Sequence, residues 1–354
     1  MLKLLDKIIL FINLFAIAGL LGAYSASYVN PNVFILPSLL GLAYPLLLIS
    51  NLLILFYWIA RWKKMAWIEL LVILIGIPIF MSYFGTAQPK KKQQQGKLSI
   101  LSYNVRYFDH YNWSNQKNTK THLLNYLKNF SGQIICLQES HLKNNTDQKQ
   151  SISKTLKTYR YQYIHNGMSI LSQYPMLHKG AFSFKKSSSG NCIYCDLLIS
   201  QDTFRLYNIH LESFKLGKEE RQFMKGISQG LKNNELPKGI KRLTSRLMIG
   251  NKSRALQAEE IKNHILQSPY PVIVCGDFND TPLSYTYQKI KQGLKDSFIE
   301  KGRGLGQTYI GEFPSFRIDY ILHSPQIETM DYRKDGVCFS DHYPIKAQLS
   351  YQTK

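Results

Sequence analysis

The sequence predicts a membrane anchor of about three transmembrane helices followed by one α+β domain, in which two packed β-sheets are covered by helices. Three observations predict it. No charged residue occurs from Ile8 to Ala60. A polar, basic stretch, Ala87 to Lys97 (AQPKKKQQQGK), then interrupts the chain without offering an apolar face. Beyond it, many short β-branched apolar runs alternate with a few helical ones, the pattern of layered sheets. The expected units are therefore an anchor at 1–86, a linker at 87–97 and a soluble domain at 98–354.

Within the anchor, Asn30-Pro31-Asn32 splits the uncharged run into segments of roughly 8–28 and 33–60. A third, Met65 to Gly85, follows Arg61-Trp62-Lys63-Lys64. Each reaches the ~20 residues that span a bilayer core. Ala23 and Ser25 form a weak signal-peptide cleavage pattern, but two further hydrophobic segments favour an integral anchor. Glu69 falls near the start of the third segment, where an interfacial position costs little. The first loop has no charge and the second is basic, so the positive-inside rule keeps the N-terminus in the cytoplasm. The soluble domain is then exported across a bacterial-type inner membrane. Lys90, Lys91, Lys92 and Lys97 pull the other way.

The remaining chain carries 39 basic against 21 acidic residues, a net +18 of the total +21. Such a charge favours polyanionic partners: nucleic acid, phosphorylated metabolites or anionic headgroups. Strands are expected at Leu98–Arg106, Ile134–Glu139, Tyr161–His165, Ser169–Leu171, Ile193–Ile199, Phe204–Leu211, Val272–Cys275, Arg317–Leu322 and Ile345–Ser350, and helices at Lys120–Phe130 and Ala255–Glu260. Cys136 and Cys275 lie in apolar runs as small hydrophobes. Cys192 and Cys195 lack the second pair of a zinc site, and strand alternation puts them on opposite faces. No disulfide framework is expected.

Polar residues of one chemical kind recur where apolar runs end. Asn104 follows LSILSY, Glu139 follows IICLQ, and His210 closes FRLYNI. Asp277 and Asn279 close VIVCG, Asp319 sits in FRIDYIL, and Asp341-His342 follow Ser340. A lone acid at a strand end is usually a cap or a solvated terminus. A set of hard-cation ligands and proton carriers at successive strand ends suits one cleft. The chemistry these residues suit is metal-assisted phosphoester hydrolysis. Glu139, with Asn104 or Asp341, offers oxygen ligands for Mg²⁺ or Mn²⁺. Asp277, assisted by Asn279, would orient and deprotonate water. His342, held by Asp319, and His210 would donate to a phosphate gaining charge. No nucleophile elbow or P-loop occurs.

SYNVR, LQES, ILSQYP, NIHLES, GDFND, RIDYIL and SDHYPI, in this order from about Lys97 to Ser350, resemble the successive motifs of the endonuclease/exonuclease/phosphatase superfamily. The resemblance implies a four-layer αββα sandwich, a divalent metal and in-line attack by water. It implies that Glu139 binds the metal with Asn104 supporting that site, that Asp277 and Asn279 handle nucleophile and phosphate, and that Asp319 and His342 form a dyad beside Asp341. Arg106 stands where the family's abasic-site endonucleases usually have an acid, and His210 replaces their amide. Both departures favour the DNase I or phosphodiesterase/phosphatase side over abasic-site repair.

Between the His210 strand and the helix at Ala255, a segment from Phe214 to Arg254 holds eleven Lys and Arg residues and only two aromatics. It is expected at the cleft's edge, either gathering polyanions or as a solvated basic insert. The expected function is a membrane-anchored phosphodiesterase or nuclease, with the bilayer and a polyanionic phosphoester as partners. The alternatives are a phospholipid, sphingomyelin or inositol phosphate phosphohydrolase, or an inactive phosphate-binding module. No protein partner is inferable.

Overall fold

The computed structural model describes residues 2–87, 96–112, 114, 116–141, 146–182, 184, 190–229, 236–310 and 316–352. Most of the expected linker lies outside the described residues. The N-terminal region holds α1 (Leu2–Ser25), α2 (Leu36–Leu42), α3 (Tyr44–Ala60), α4 (Met65–Ile75), α5 (Ile77–Tyr83) and β1 (Gly85–Thr86). Next come β2 (Gly96–Asn104), a one-turn element α6 (Arg106–Asp109), α7 (Thr119–Lys128), β3 (Ile134–Gln138), α8 (Thr146–Thr155), β4 (Tyr161–His165), β5 (Met168–Ser172), β6 (Met176–Ala181), β7 (Asn191–Ile199) and β8 (Asp202–His210). The C-terminal part adds α9 (Lys218–Gln229), α10 (Leu236–Leu266), β9 (Val272–Asp277), α11 (Tyr285–Lys291), β10 (Lys295–Asp296), α12 (Ser297–Lys301), β11 (Arg303–Gly304), β12 (Asp319–His323), β13 (Glu328–Lys334) and β14 (Ile345–Tyr351).

Two mixed six-stranded sheets form, ordered β13-β14-β2-β3-β5-β4 and β10-β12-β9-β8-β7-β6. Strand alternation distributes their side chains. Ile100, Ile134, Ile273 and Cys275 point into the core between the sheets. Leu101 and Tyr103 face outward, packing with Leu123 of α7 and Ile152 of α8. Val272 and Val274 pack with Ala258 and Ile261 of α10. The result is helix on sheet on sheet on helix. Cys192 and Cys195 do lie on opposite faces, one in each core, and Cys136, Cys192, Cys195, Cys275 and Cys338 are all free thiols.

All nine expected strands form, with ends shifted by up to a few residues. Two longer strands, β6 and β13, were not expected: both are sheet edges, and their mixed burial gives no clean alternation. The helix expected at Ala255–Glu260 is part of the 31-residue α10. Much of the basic insert is therefore helical.

The anchor also differs from expectation. Among the described residues, only α1 is a single helix long and apolar enough to cross a membrane. The second and third hydrophobic runs are broken, α2 and α3 meeting at 73° and α4 and α5 at 48°. Pro45 and Pro78 explain the breaks, since each stands in the first turn after the bend and has no N–H to continue the preceding helix. Glu69 faces the interior of this bundle. It is fully buried and accepts from Asn13 Nδ2, while Trp58 Nε1 donates to Asn13 Oδ1 (2.9 Å).

The parallel pairs β2/β3 and β8/β9 occupy the middle of the two sheets, so their C-terminal ends emerge side by side. One glycine permits this on the second sheet. Gly276 has φ +138°, and a Cβ there would lie 2.0 Å from the Ile209 carbonyl oxygen of β8. Gly276→Ala should therefore cost more than about 2 kcal/mol, combining disallowed backbone with a clash against a main-chain atom. Chemical denaturation of the purified variant checks this, and a change below about 0.5 kcal/mol would contradict the packing described.

Candidate active site

Each site residue stands where a strand ends or a loop is forced to turn. Asn104 closes β2, His210 closes β8 and Asp277 closes β9. Glu139 follows β3 at φ +48° and Asn279 follows β9 at φ +52°, so both leave the strand direction abruptly. Asp319 opens β12 directly across from Asp277. His342 is brought in by a bridge to Tyr309.

Asp277 lies at the centre and is almost wholly buried (1% exposed). Asn104 Nδ2 donates to its Oδ2 (3.0 Å), and the Asn279 backbone N–H donates to its Oδ1 (2.8 Å). His342 Nε2 is 3.6 Å and His210 Nε2 3.8 Å from Oδ2. Burial raises the Asp277 carboxyl above its ordinary range, against the pull of His342. Burial alone would lower His342; the Asp319 and Asp277 carboxylates outweigh it and hold the imidazole well above its ordinary value. His342 Nδ1 contacts Asp319 Oδ2 at 2.9 Å, forming the expected dyad. The His342 ring thus lies between the Asp277 and Asp319 carboxyl groups.

Glu139 stands at the mouth and is more open, with 22% of its side chain exposed. Its Oε1 is 3.5 Å from His210 Nε2 and 3.4 Å from Asn104 Nδ2. The Asn104 oxygen is turned away, accepting from the Arg106 backbone N–H (3.1 Å). Asn104 therefore presents N–H groups to both carboxylates, whereas the expected metal ligation would use its oxygen. Asp341 is likewise occupied. Arg106 Nη1 pairs with its Oδ2 at 2.8 Å, and Ser340 Oγ donates to its Oδ1 at 3.3 Å. Asp341 is thus tied to Arg106 and one residue removed from the carboxylate cluster. Asn279 spends its Nδ2 on the Leu211 carbonyl (2.9 Å), bracing the end of β8.

A divalent cation fits two places by donor chemistry. Asp277, Asp319 and His342 offer ligand atoms within 4.8 Å of one another, and Asp319 Oδ1 is a buried oxygen without a hydrogen-bond partner among the described residues. Glu139 offers a carboxylate facing solvent.

Several residues escaped sequence reasoning. Gln138 Nε2 donates to Asn208 Oδ1 (2.6 Å), and Asn208 Nδ2 donates to the Leu137 and Ser169 carbonyls, stapling the two sheets beneath the site. Thr308 Oγ1 accepts from the backbone N–H of Ile318 and Asp319, fixing the start of β12. Arg254, counted among the cations of the basic insert, is fully buried: it pairs with Asp280 (3.0 Å), donates to the Glu212 carbonyl (2.9 Å) and stacks on Phe214. The i−2 spacing of Asn208 from His210, on the same strand face, was the one sequence signal available. Two further insert cations are paired across the helices, Arg242 with Glu219 (2.5 Å) and Arg246 with Glu220 (3.9 Å). A pocket of about 210 Å³ opens beside Glu139 and His210, lined also by Tyr107, His141, Asn166, Gly167 and Asn191.

Two stacked sheets whose strand ends converge carboxylates, amides and histidines define a phosphoester hydrolase. The chain belongs to the endonuclease/exonuclease/phosphatase family, whose profile matches residues 101–342. A domain of unknown function (DUF8431) matches residues 6–83. No curated protein matches the chain. Among solved structures, an endonuclease/exonuclease/phosphatase family protein from Bacteroides thetaiotaomicron is similar at 16% identity and TM-score 0.55, over 73% of this chain and 99% of that one. A mannosyl-6-phosphatase from the same species is similar at 18% and 0.52, over 73% and 100%. TDP2 of D. rerio complexed with single-strand DNA product is similar at 20% and 0.52, over 72% and 100%. These are likenesses of fold.

The buried Arg254–Asp280 pair sits three residues beyond Asp277. Arg254→Met would leave Asp280 as an unpaired buried charge, so the expected loss is about 3–5 kcal/mol. In an Asp280→Asn background the same change should cost much less. Denaturation of the four proteins of this cycle measures the coupling, and additive losses would show that the pair does not act as described.

Proposed function

We propose that this chain is a membrane-anchored, divalent-metal-dependent phosphodiesterase in which Asp277 activates the attacking water. The observation that carries the reading is the Asp277 carboxylate itself: buried, raised by burial, and ringed by Asn104, His210 and His342. A carboxylate so placed takes a proton from water more readily than a solvated one. Asn279 steadies the Asp277 loop, and His210 and protonated His342, oriented by Asp319, donate to phosphoryl oxygens as negative charge accumulates. Glu139 would hold Mg²⁺ or Mn²⁺, with Asn104 and Asp341 supporting it from beside. When bound, the ion neutralises phosphoryl charge and stabilises the leaving group. The family and the oxygen donor set support a divalent metal, and the hardness of those donors favours Mg²⁺ or Mn²⁺.

For the anchor, taking each bent pair as one span gives three spans within residues 1–86, with 87–95 as linker and the catalytic domain from the start of β2 at Gly96. The charge asymmetry of the loops supports an inner-membrane protein with the catalytic domain exported. The names of the solved neighbours include both a sugar-phosphate phosphatase and a DNA-bound enzyme, so they favour neither a nuclease nor a phosphatase here.

Full-length protein should hydrolyse bis-p-nitrophenyl phosphate with Mg²⁺ or Mn²⁺ and stop with EDTA. Asp277→Asn should lower kcat by about 10²–10⁴ while folding normally, and Glu139→Gln should raise the metal concentration needed for half-maximal rate. Turnover that survives exhaustive chelation, or near wild-type kcat in Asp277→Asn, would overturn these roles.

Orientation has its own test. A periplasm-dependent reporter fused after Lys354 should be active and a cytoplasm-dependent one silent. The reverse pattern would place the catalytic domain inside.

A further inference from the structure

Resting on the hydrolase reading above, we propose that the N-terminal bundle, the region matched by a domain of unknown function, is a positioning element of the active site. It seats the two chain segments that carry Asp277 and Asp319, the second of them through Arg317. Those segments are stitched to one another. Asp277 and Asp319 are register partners of β9 and β12. The Phe278 backbone N–H donates to the Ile318 carbonyl (2.8 Å), and the Tyr320 hydroxyl lies 2.8 Å from the carbonyl oxygens of both Asp280 and Arg317. A shift in either segment therefore moves both carboxylates.

The bundle meets each segment directly. Beyond Asp277, Leu283 is 1% exposed because it packs among Tyr24, Tyr44 and Tyr83, and its carbonyl accepts from Ser27 Oγ (3.0 Å). Two residues before Asp319, the fully buried Arg317 bridges the two domains. Its Nη1 pairs with Asp296 of the catalytic domain (2.7 Å), and its Nη2 donates to the Ser82 carbonyl in the last turn of α5 (2.8 Å). A helix leaves its last carbonyls without intrahelical partners, so Ser82 can accept at no cost to α5. The rings of Phe298 and Tyr320 flank the guanidinium at 4.5 and 4.6 Å. A third link reaches the loop after Asp277. Asn251 donates to Ser38 Oγ of α2 (3.0 Å) and accepts from Arg254, which pairs with Asp280.

A flexible tether would leave both facing surfaces polar and solvated. Here, undocking would strip Arg317 Nη2 of its acceptor and open Leu283 to water, and both changes oppose it. The consequence for chemistry follows from what the segments carry. Asp319 Oδ2 lies 2.9 Å from His342 Nδ1, and Asp277 is the carboxylate read as activating water. Reacting groups tolerate little displacement, about 1 Å costing on the order of 10²-fold in rate. Arg317 is not among the residues assigned to water, metal or phosphate. Its role is to place Asp319, and through it His342. A control position lies elsewhere in the same bundle: Asp6, held by Tyr57 and Arg61, is about 27 Å along α1 from Tyr24.

The test uses full-length protein in lipid nanodiscs, with an affinity tag before Met1 and a protease site inserted after Gln94. After cleavage the catalytic domain should stay on the resin with the bundle and keep its kcat on bis-p-nitrophenyl phosphate. Arg317→Lys keeps a positive charge beside Asp296 but not the two-pronged donor. Its kcat should fall on the order of tenfold with KM within about twofold, because the groups that bind substrate are untouched. Tyr44→Ala combined with Tyr83→Ala empties the seat of Leu283 and should lower kcat several-fold in the same way. Tyr57→Phe should change neither constant. Thermal unfolding checks that each variant is folded at the assay temperature, since a merely structural role would lower Tm and leave kcat alone. Release of the catalytic domain on cleavage, wild-type kcat in either Arg317→Lys or the double tyrosine variant, or an equal loss in Tyr57→Phe would each overturn the inference while leaving the hydrolase intact. Silence of the uncut parent on bis-p-nitrophenyl phosphate would overturn the hydrolase reading and this inference with it.

Discussion

Keeping the Asp277 carboxylate out of water is the constraint on which the site depends. Removing a carboxylate from solvent costs several kcal/mol unless donors replace the lost hydration. Here Asn104 donates from one sheet and Asn279 from the adjoining loop, and the His342 ring stands 3.6 Å away. The first requires the two sheets to pack face to face with their central strand ends aligned. Gln138 and Asn208 secure that alignment by hydrogen-bonding across the core just below the site. The sandwich is therefore a support that brings donors of separate strands to one carboxylate.

A second level of support runs through two buried arginines. Arg254 ties the loop after Asp277 to α10, and Arg317 ties the start of β12 to Asp296 at 2.7 Å among the rings of Phe298 and Tyr320. Both arginines connect to the N-terminal bundle, Arg317 directly and Arg254 through one intervening side chain. Arg254 donates to Asn251, which holds Ser38, and Arg317 holds the Ser82 carbonyl. Buried charges paired in this way are rigid, since loosening one partner exposes the other to an uncompensated environment. The N-terminal helices thus share polar contacts with the scaffold of the site rather than touching it only through a tether.

Much of this was legible in the sequence for identifiable reasons. The central strands, buried on both faces, read as continuous apolar runs, and the polar residues ending them stood out against that background. Asn104, Glu139, His210, Asp277, Asp319 and His342 do converge. What was illegible depended on tertiary partners. Whether Asn104 offers oxygen or nitrogen is decided by the Arg106 backbone, and the pairing of Asp341 by the Arg106 side chain. Arg254 reads as one more cation in a basic stretch until Asp280 and Phe214 enclose it. Hydrophobicity marked the second and third anchor segments but not their bends, which two prolines impose. Edge strands β6 and β13 carry polar residues because one side of each faces no neighbour, and so they lack the alternation by which strands are recognised.

The central claim is that water, activated at Asp277, attacks phosphorus directly. Hydrolysis of a phosphodiester in water enriched with heavy oxygen tests it most directly, under single-turnover conditions and with both products examined by mass spectrometry. The account predicts one heavy oxygen in the phosphorus-containing product and none in the alcohol. Heavy oxygen in the alcohol, or none in the first-turnover phosphorus product, would contradict direct attack by water on phosphorus.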